Sequence, residues 1–113
     1  MEAVVKNLRD DGWVKNPAHR EVYLNTLLDE RENEHVVIRV AKIMPGGEIL
    51  PHTHKNQETF YFLEGEGSVL VNGERRRVGK GELVNAPAGS EHGIINDTDR
   101  EILLYCVFSP VVK

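Results

Sequence analysis

At 113 residues, with 40% hydrophobic and 28% charged side chains, the chain has room for one globular domain and no second, and its apolar content is too high for a disordered segment. A formal net charge of −4 argues against nucleic acid as a partner. No run of 18 apolar residues offers a membrane span, and Met1-Glu2 starts without a basic or apolar leader, so a cytoplasmic protein is expected.

Residues 1–20 carry a turn signal at Asp10–Gly12, then Trp13, then Asn16-Pro17, where the residue before proline is pushed to an extended conformation. They read as an arm with an edge strand. His19 falls in this arm with no partner at chelating spacing, the pattern of a surface or packing histidine. From Glu21 to Leu28 alternation is partial, Val22, Leu24 and Thr26 against Tyr23, Asn25 and Leu27, as in a strand covered on both sides. A charged loop, Asp29–Glu34, leads through His35 to Val36–Met44, whose β-branched residues predict a strand stopped by Pro45-Gly46-Gly47.

Seven further strands are expected: Ile49–His54, Glu58–Leu63, Ser68–Val71, Glu74–Val78, Glu82–Ala86, His92–Asn96 and Ile102–Phe108. Glycine-rich corners separate most of them, and Asn72-Gly73 is a two-residue hairpin signal. Many short strands at even spacing predict an all-β sandwich or barrel with no helix longer than a turn or two. Arg75-Arg76-Arg77 reads as a solvated hairpin arm. The single cysteine, Cys106, lies in an apolar run and reads as a small buried hydrophobe in a reducing compartment.

The chemistry gathers around His52 and His54. Side chains alternate along a strand, so residues two apart project to one side, which is chelating geometry. Glu58 opens the next extended run and can return a carboxylate to the same point, and His92 follows the Pro87-Ala88-Gly89 turn. Imidazole nitrogens with a carboxylate suit a first-row divalent metal. By the period of two, an inward Glu58 takes Phe60 and Phe62 with it, and His92 takes Ile94. These three, with Gln57 beside the ligand, are the candidate pocket residues, although Phe60 and Phe62 serve equally well as core.

Gly46, His52, His54, Glu58 and Gly65, followed by Gly81, Pro87, Gly89, His92 and Asn96, resemble the two motifs of the cupin superfamily. Each residue type supplies ~5–7% of average composition, so ten identities at set offsets arise by chance with a probability on the order of 10⁻¹² per placement. The resemblance implies a small single-domain (monocupin) protein of the cupin-2 type, folded as a double-stranded β-helix, the jelly-roll cupin barrel. Residues 1–35 would be its N-terminal arm and edge strands and residues 36–113 the barrel. It implies one divalent transition metal ion (Mn, Fe, Ni, Cu, Co or Zn) held by His52, His54, Glu58 and His92, with open positions for water, dioxygen or a chelating substrate. The function implied is a metalloenzyme acting on a small oxygenated organic molecule, dioxygenase- or isomerase-like, with Glu58 the one candidate proton acceptor. A non-catalytic barrel that holds a sugar or hydroxy acid is the alternative. An arm bearing Trp13 and open strand edges, which must be covered, imply a homodimer.

Overall fold

Residues 3–112 are described by a computed structural model, in which every regular element is a strand. Met1 and Glu2, where the leader-less start was read, and Lys113 lie outside the described residues. The strands are β1 (Val14–Lys15), β2 (Arg20–Leu28), β3 (Val37–His52), β4 (Gln57–Glu64), β5 (Glu66–Val71), β6 (Glu74–Gly79), β7 (Leu83–Ala86), β8 (His92–Ile95) and β9 (Ile102–Ser109). They pair antiparallel in the order β6-β5-β8-β3-β9-β4-β7, with β2 on the free side of β3 and β1 on β2. The sheet curls because β3 serves both layers. Its first half, Val37–Ile43, pairs with β9, and its last residues, from Glu48 to His52, pair with β8.

That double duty overturns one expectation. Pro45-Gly46-Gly47 does not stop the strand but bends it. Gly46 takes a left-handed φ of 77°, a conformation open to glycine at no steric cost, and β2 slips register opposite, so that Arg20 to Val22 face Glu48 to Ile43. The polar backbone at the bend stays satisfied, with Gly46 N–H donating to Asn96 O (3.1 Å) and Asn96 N–H to Gly47 O (3.0 Å). The Asn96 side chain completes the clamp. Its amide donates to Ile43 O (3.0 Å) and Arg100 O (2.8 Å) and its oxygen accepts from Thr98.

The inner face is built from rows of cross-strand partners. Ile43 opposes Ile102; Ala41, Leu104 and Phe62 form the next row; Arg39, Cys106 and Phe60 the next; Val37, Phe108 and Glu58 the last. Residues two apart share a face, so the rows stack in one direction, from all-aliphatic at one end of the barrel to ionisable at the other. Phe60, Phe62, Leu104 and Ile102, all at most 1% exposed, fill the aliphatic end together with Val22, Val69, Val78 and Ile94.

The arm is not loose over its described part. Asn25, on the outer face of β2, is buried and donates to Arg9 O (2.8 Å), while Lys42 Nζ sits 4.2 Å from the Trp13 ring centroid. The β5–β6 hairpin turns through Asn72 and Gly73, both at positive φ, as a type I′ turn requires. Its three arginines are exposed; Arg76 pairs with Glu74 and Arg77 with Glu66 and Asp97, while Arg75 donates to Ser68 O. No helix of the described residues is long and apolar enough to cross a membrane. The curled antiparallel sheet is a jelly-roll double-stranded β-helix.

Candidate metal centre

The four sequence-predicted donors come together. His52, His54, Glu58 and His92 each offer a ligand atom, all within 4.8 Å of one another. His52, the last residue of β3, is the direct cross-strand partner of His92, the first of β8, so both rings leave the same face and their centroids lie 4.5 Å apart. Glu58 arrives from β4, one row beyond Phe60.

His54 departs from the expected strand alternation. β3 ends at His52, and His54 lies in the loop before β4. What holds it is tertiary. Its carbonyl accepts from Gly89 N–H at 3.0 Å, which ties the loop of the first motif to the Pro87-Ala88-Gly89 turn of the second. Ser90 closes that turn, its N–H (3.0 Å) and hydroxyl (2.6 Å) both donating to Pro87 O.

Each ring is oriented from behind by a backbone carbonyl. His52 Nδ1 lies 2.8 Å from Leu50 O, His54 Nδ1 2.9 Å from Asn56 O, and His92 Nδ1 3.0 Å from Ser90 O. A carbonyl only accepts, so each Nδ1 carries hydrogen and each neutral ring presents a bare Nε2. Yet His54 Nε2 and His92 Nε2 stand 3.3 Å and 3.0 Å from the same oxygen, Glu58 Oε1. Lone pairs cannot face one another at that distance in a buried pocket. A cation must lie between them, a proton or a metal ion, and the donor set fits a first-row divalent ion with its outer-shell hydrogen bonds already in place.

The titration behaviour follows. Burial pushes the Glu58 carboxyl up, but hydrogen bonds from His54 and His92 outweigh it and hold the group at about 2. The hydrogen bond to Glu58 raises His54. Burial lowers His52, favouring the neutral ring that a metal requires.

The expected pocket residues divide. Phe60, Phe62 and Ile94 point inward as the period of two requires and lie within the packed core; Gln57 is exposed on β4. A cavity of about 540 Å³ opens between the edges of β6 and β7, and its lining includes Val69 and Val71, the cross-strand partners of Ile94 and His92.

Two residues near the centre carry no signal in the sequence. His19, expected without a partner, lies against His52 with ring centroids 5.0 Å apart, and its Nδ1 accepts from Leu50 N–H at 3.0 Å. The Leu50 peptide thus orients both rings, through its N–H and through its carbonyl. Arg39 lies on the inner face, its guanidinium carbon 5.5 Å from the centroid of the Phe108 ring.

Known proteins resemble the chain over most of its length. It is 30% identical over 82 residues to the dimethylsulfoniopropionate lyase DddW of Ruegeria pomeroyi, covering 71% of this chain and 54% of that protein, so the chain spans about half the length of this relative. Among solved structures, it superimposes with a TM-score of 0.82 on the polyketide cyclase RemF of Streptomyces resistomycificus, at 24% identity over 96% of this chain and 80% of that one. A predicted oxalate decarboxylase of Thermotoga maritima matches with a TM-score of 0.74, at 25% identity over 80% of this chain and 81% of that one. Residues 39–108 match the model of the Cupin_2 family, described as a cupin domain, and the chain belongs to that family.

Proposed function

We propose that the chain is a metal-dependent enzyme acting on a small oxygenated organic molecule, with dioxygenase- or isomerase-like chemistry. One observation carries the reading. Three histidines with Nδ1 committed to carbonyls aim their Nε2 atoms at a point beside a buried, ionised carboxylate. A divalent transition ion held there supplies Lewis-acid or redox chemistry and charge for an oxygen-rich substrate. His52, His54 and His92 hold the ion, Glu58 is the fourth ligand, and the packed rows beneath, Phe60 with Cys106 and Phe62 with Leu104, keep water out from below. Because Glu58 is the one carboxylate in the cluster, it is also the group there that would accept a proton from a bound substrate. The enzyme names borne by similar proteins, a lyase, a cyclase and a decarboxylase, support catalysis over simple storage of a ligand.

The test is the metal content of protein purified without added metal, beside His52→Ala and Glu58→Ala. Near-stoichiometric iron, copper, manganese or nickel that both variants lose supports the reading and directs a dioxygen-consumption screen; zinc shifts the weight to the isomerase. Negligible metal that cannot be restored by reconstitution overturns it.

A further inference from the structure

Among the described residues, Arg39 is the one charged side chain placed on the inner face of the barrel and left without a partner. It occupies the same cross-strand row as Cys106 and Phe60, both buried in the core. Its Nε is sealed from solvent with no hydrogen-bond partner, and it forms no ion pair with a carboxylate among the described residues. A buried unsatisfied donor is costly, the more so on a charged group. Arg76 and Arg77 on the β5–β6 hairpin illustrate the contrast, since both are exposed and each holds a carboxylate.

The side chain also leans in a definite direction. Its guanidinium lies over Phe108, which belongs not to the row of Arg39 but to the next one, where its cross-strand partner is Glu58. The Phe108 ring in turn lies 5.6 Å from the His54 ring, centroid to centroid. The guanidinium therefore leans from its own row towards the row that carries Glu58. Three neutral imidazoles and one carboxylate leave a divalent ion with a single net positive charge, to which Arg39 adds another. An anion is needed to balance the pair, and no described side chain supplies it.

We infer that Arg39 is a specificity-determining residue which selects a small carboxylate, an α-hydroxy or α-keto acid: the guanidinium pairs with the carboxylate while an adjacent oxygen reaches the metal centre. This rests on the metal-centre reading above. Guanidinium presents parallel donors that match a carboxylate in a fork, and such charge-assisted pairs are the strong ones. Phe108 supports the planar group from one face. With the Nε sealed, a bound carboxylate would meet the guanidinium along its Nη edge.

The experiment uses the full chain loaded with zinc, which is redox-silent, and reads two titrations in turn. The first measures zinc binding to wild type, Arg39→Met and Arg39→Lys. The second measures binding of oxalate, glycolate and pyruvate, with methyl pyruvate and inorganic phosphate as comparisons, by calorimetry. Arg39→Met keeps a straight apolar stem, and circular dichroism checks its fold. The expected result is equal zinc affinity in all three proteins, carboxylate affinity about tenfold to a hundredfold weaker in Arg39→Met, an intermediate loss in Arg39→Lys, which keeps charge without the fork, and no binding of methyl pyruvate. Zinc binding with no carboxylate bound by wild type, equal carboxylate affinity in Arg39→Met, or phosphate preferred to every carboxylate overturns the role of Arg39 and leaves the metal centre standing. Absence of zinc binding in wild type overturns the centre and this inference with it.

Discussion

In the metal-free protein protons take the place of the ion, so acid stability should depend on one carboxylate. Glu58 is only 8% exposed and is held at about 2 against an ordinary 4.5. At about 1.4 kcal/mol for each unit of displacement, the difference amounts to about 3 kcal/mol of folding stability. The folded value lies below the unfolded one. The contribution is therefore fully present above pH 4.5 and is lost as the pH falls from there towards 2, a window that lies below the raised value of His54, so that its hydrogen bond to Glu58 is in place. The perturbation is Glu58→Gln, which cannot ionise. Urea unfolding of both proteins at intervals from pH 6 to pH 2, with chelator present, gives the difference curve, in which the other carboxylates cancel. Wild type should be the more stable by a few kcal/mol at pH 5, and the two should converge near pH 2. Parallel profiles, with a gap independent of pH across this window, would refute the account of Glu58 as an ionised group held by its hydrogen bonds from His54 and His92.

With metal present the same proton becomes a competitor. The hydrogen bond to Glu58 raises His54, so binding must displace its proton, and apparent metal affinity should fall about tenfold per pH unit for each proton displaced as the solution is acidified below that raised value; calorimetry in buffers of different ionisation enthalpy counts the protons, and a count of zero at pH 6 contradicts the geometry. Asn96→Ala strips a buried clamp of two donated and two accepted hydrogen bonds and should cost about 2–4 kcal/mol by urea unfolding, whereas a loss below about 1 kcal/mol would mean that the bend of β3 stands without it. Cys106, fully enclosed and with its thiol pushed well up by burial, should resist thiol reagents at pH 8 until the chain unfolds; rapid labelling of native protein would show that the inner face opens. Val5, Leu8 and Val14 are exposed along the arm and its edge strand, and the homodimer expected from that arm should appear in light scattering as twice the 12.8 kDa chain mass, while a monomer at micromolar concentration would refute it.

Much of the barrel and its centre is legible in local pattern. The strand runs follow from β-branched stretches cut by glycine turns, and the inward set of β4, Glu58, Phe60 and Phe62, follows from a period of two that the backbone imposes on any strand. The donors His52, Glu58 and His92 are visible because they stand at the fixed offsets of the two cupin-like motifs. His54 is visible for the same reason, although the local geometry assumed for it is wrong: it lies past the end of β3, and the hydrogen bond from Gly89 places it.

What only the tertiary structure decides depends on contacts between distant segments. Pro45-Gly46-Gly47 has the composition of a strand terminator, and it becomes a bend because Asn96, far along the chain, satisfies the backbone there. His19 looks isolated because its partners, Leu50 and His52, lie on a strand that reaches the arm only when the sheet curls. Arg39 sits in the run Val-Ile-Arg-Val-Ala, where a single charge on a strand reads as a solvent-facing position. Its row with Cys106 and Phe60 places it on the inner face instead. Periodicity states which residues share a face; which face becomes the interior is settled by the closure of the sheet, a property of the whole chain that no window of residues contains.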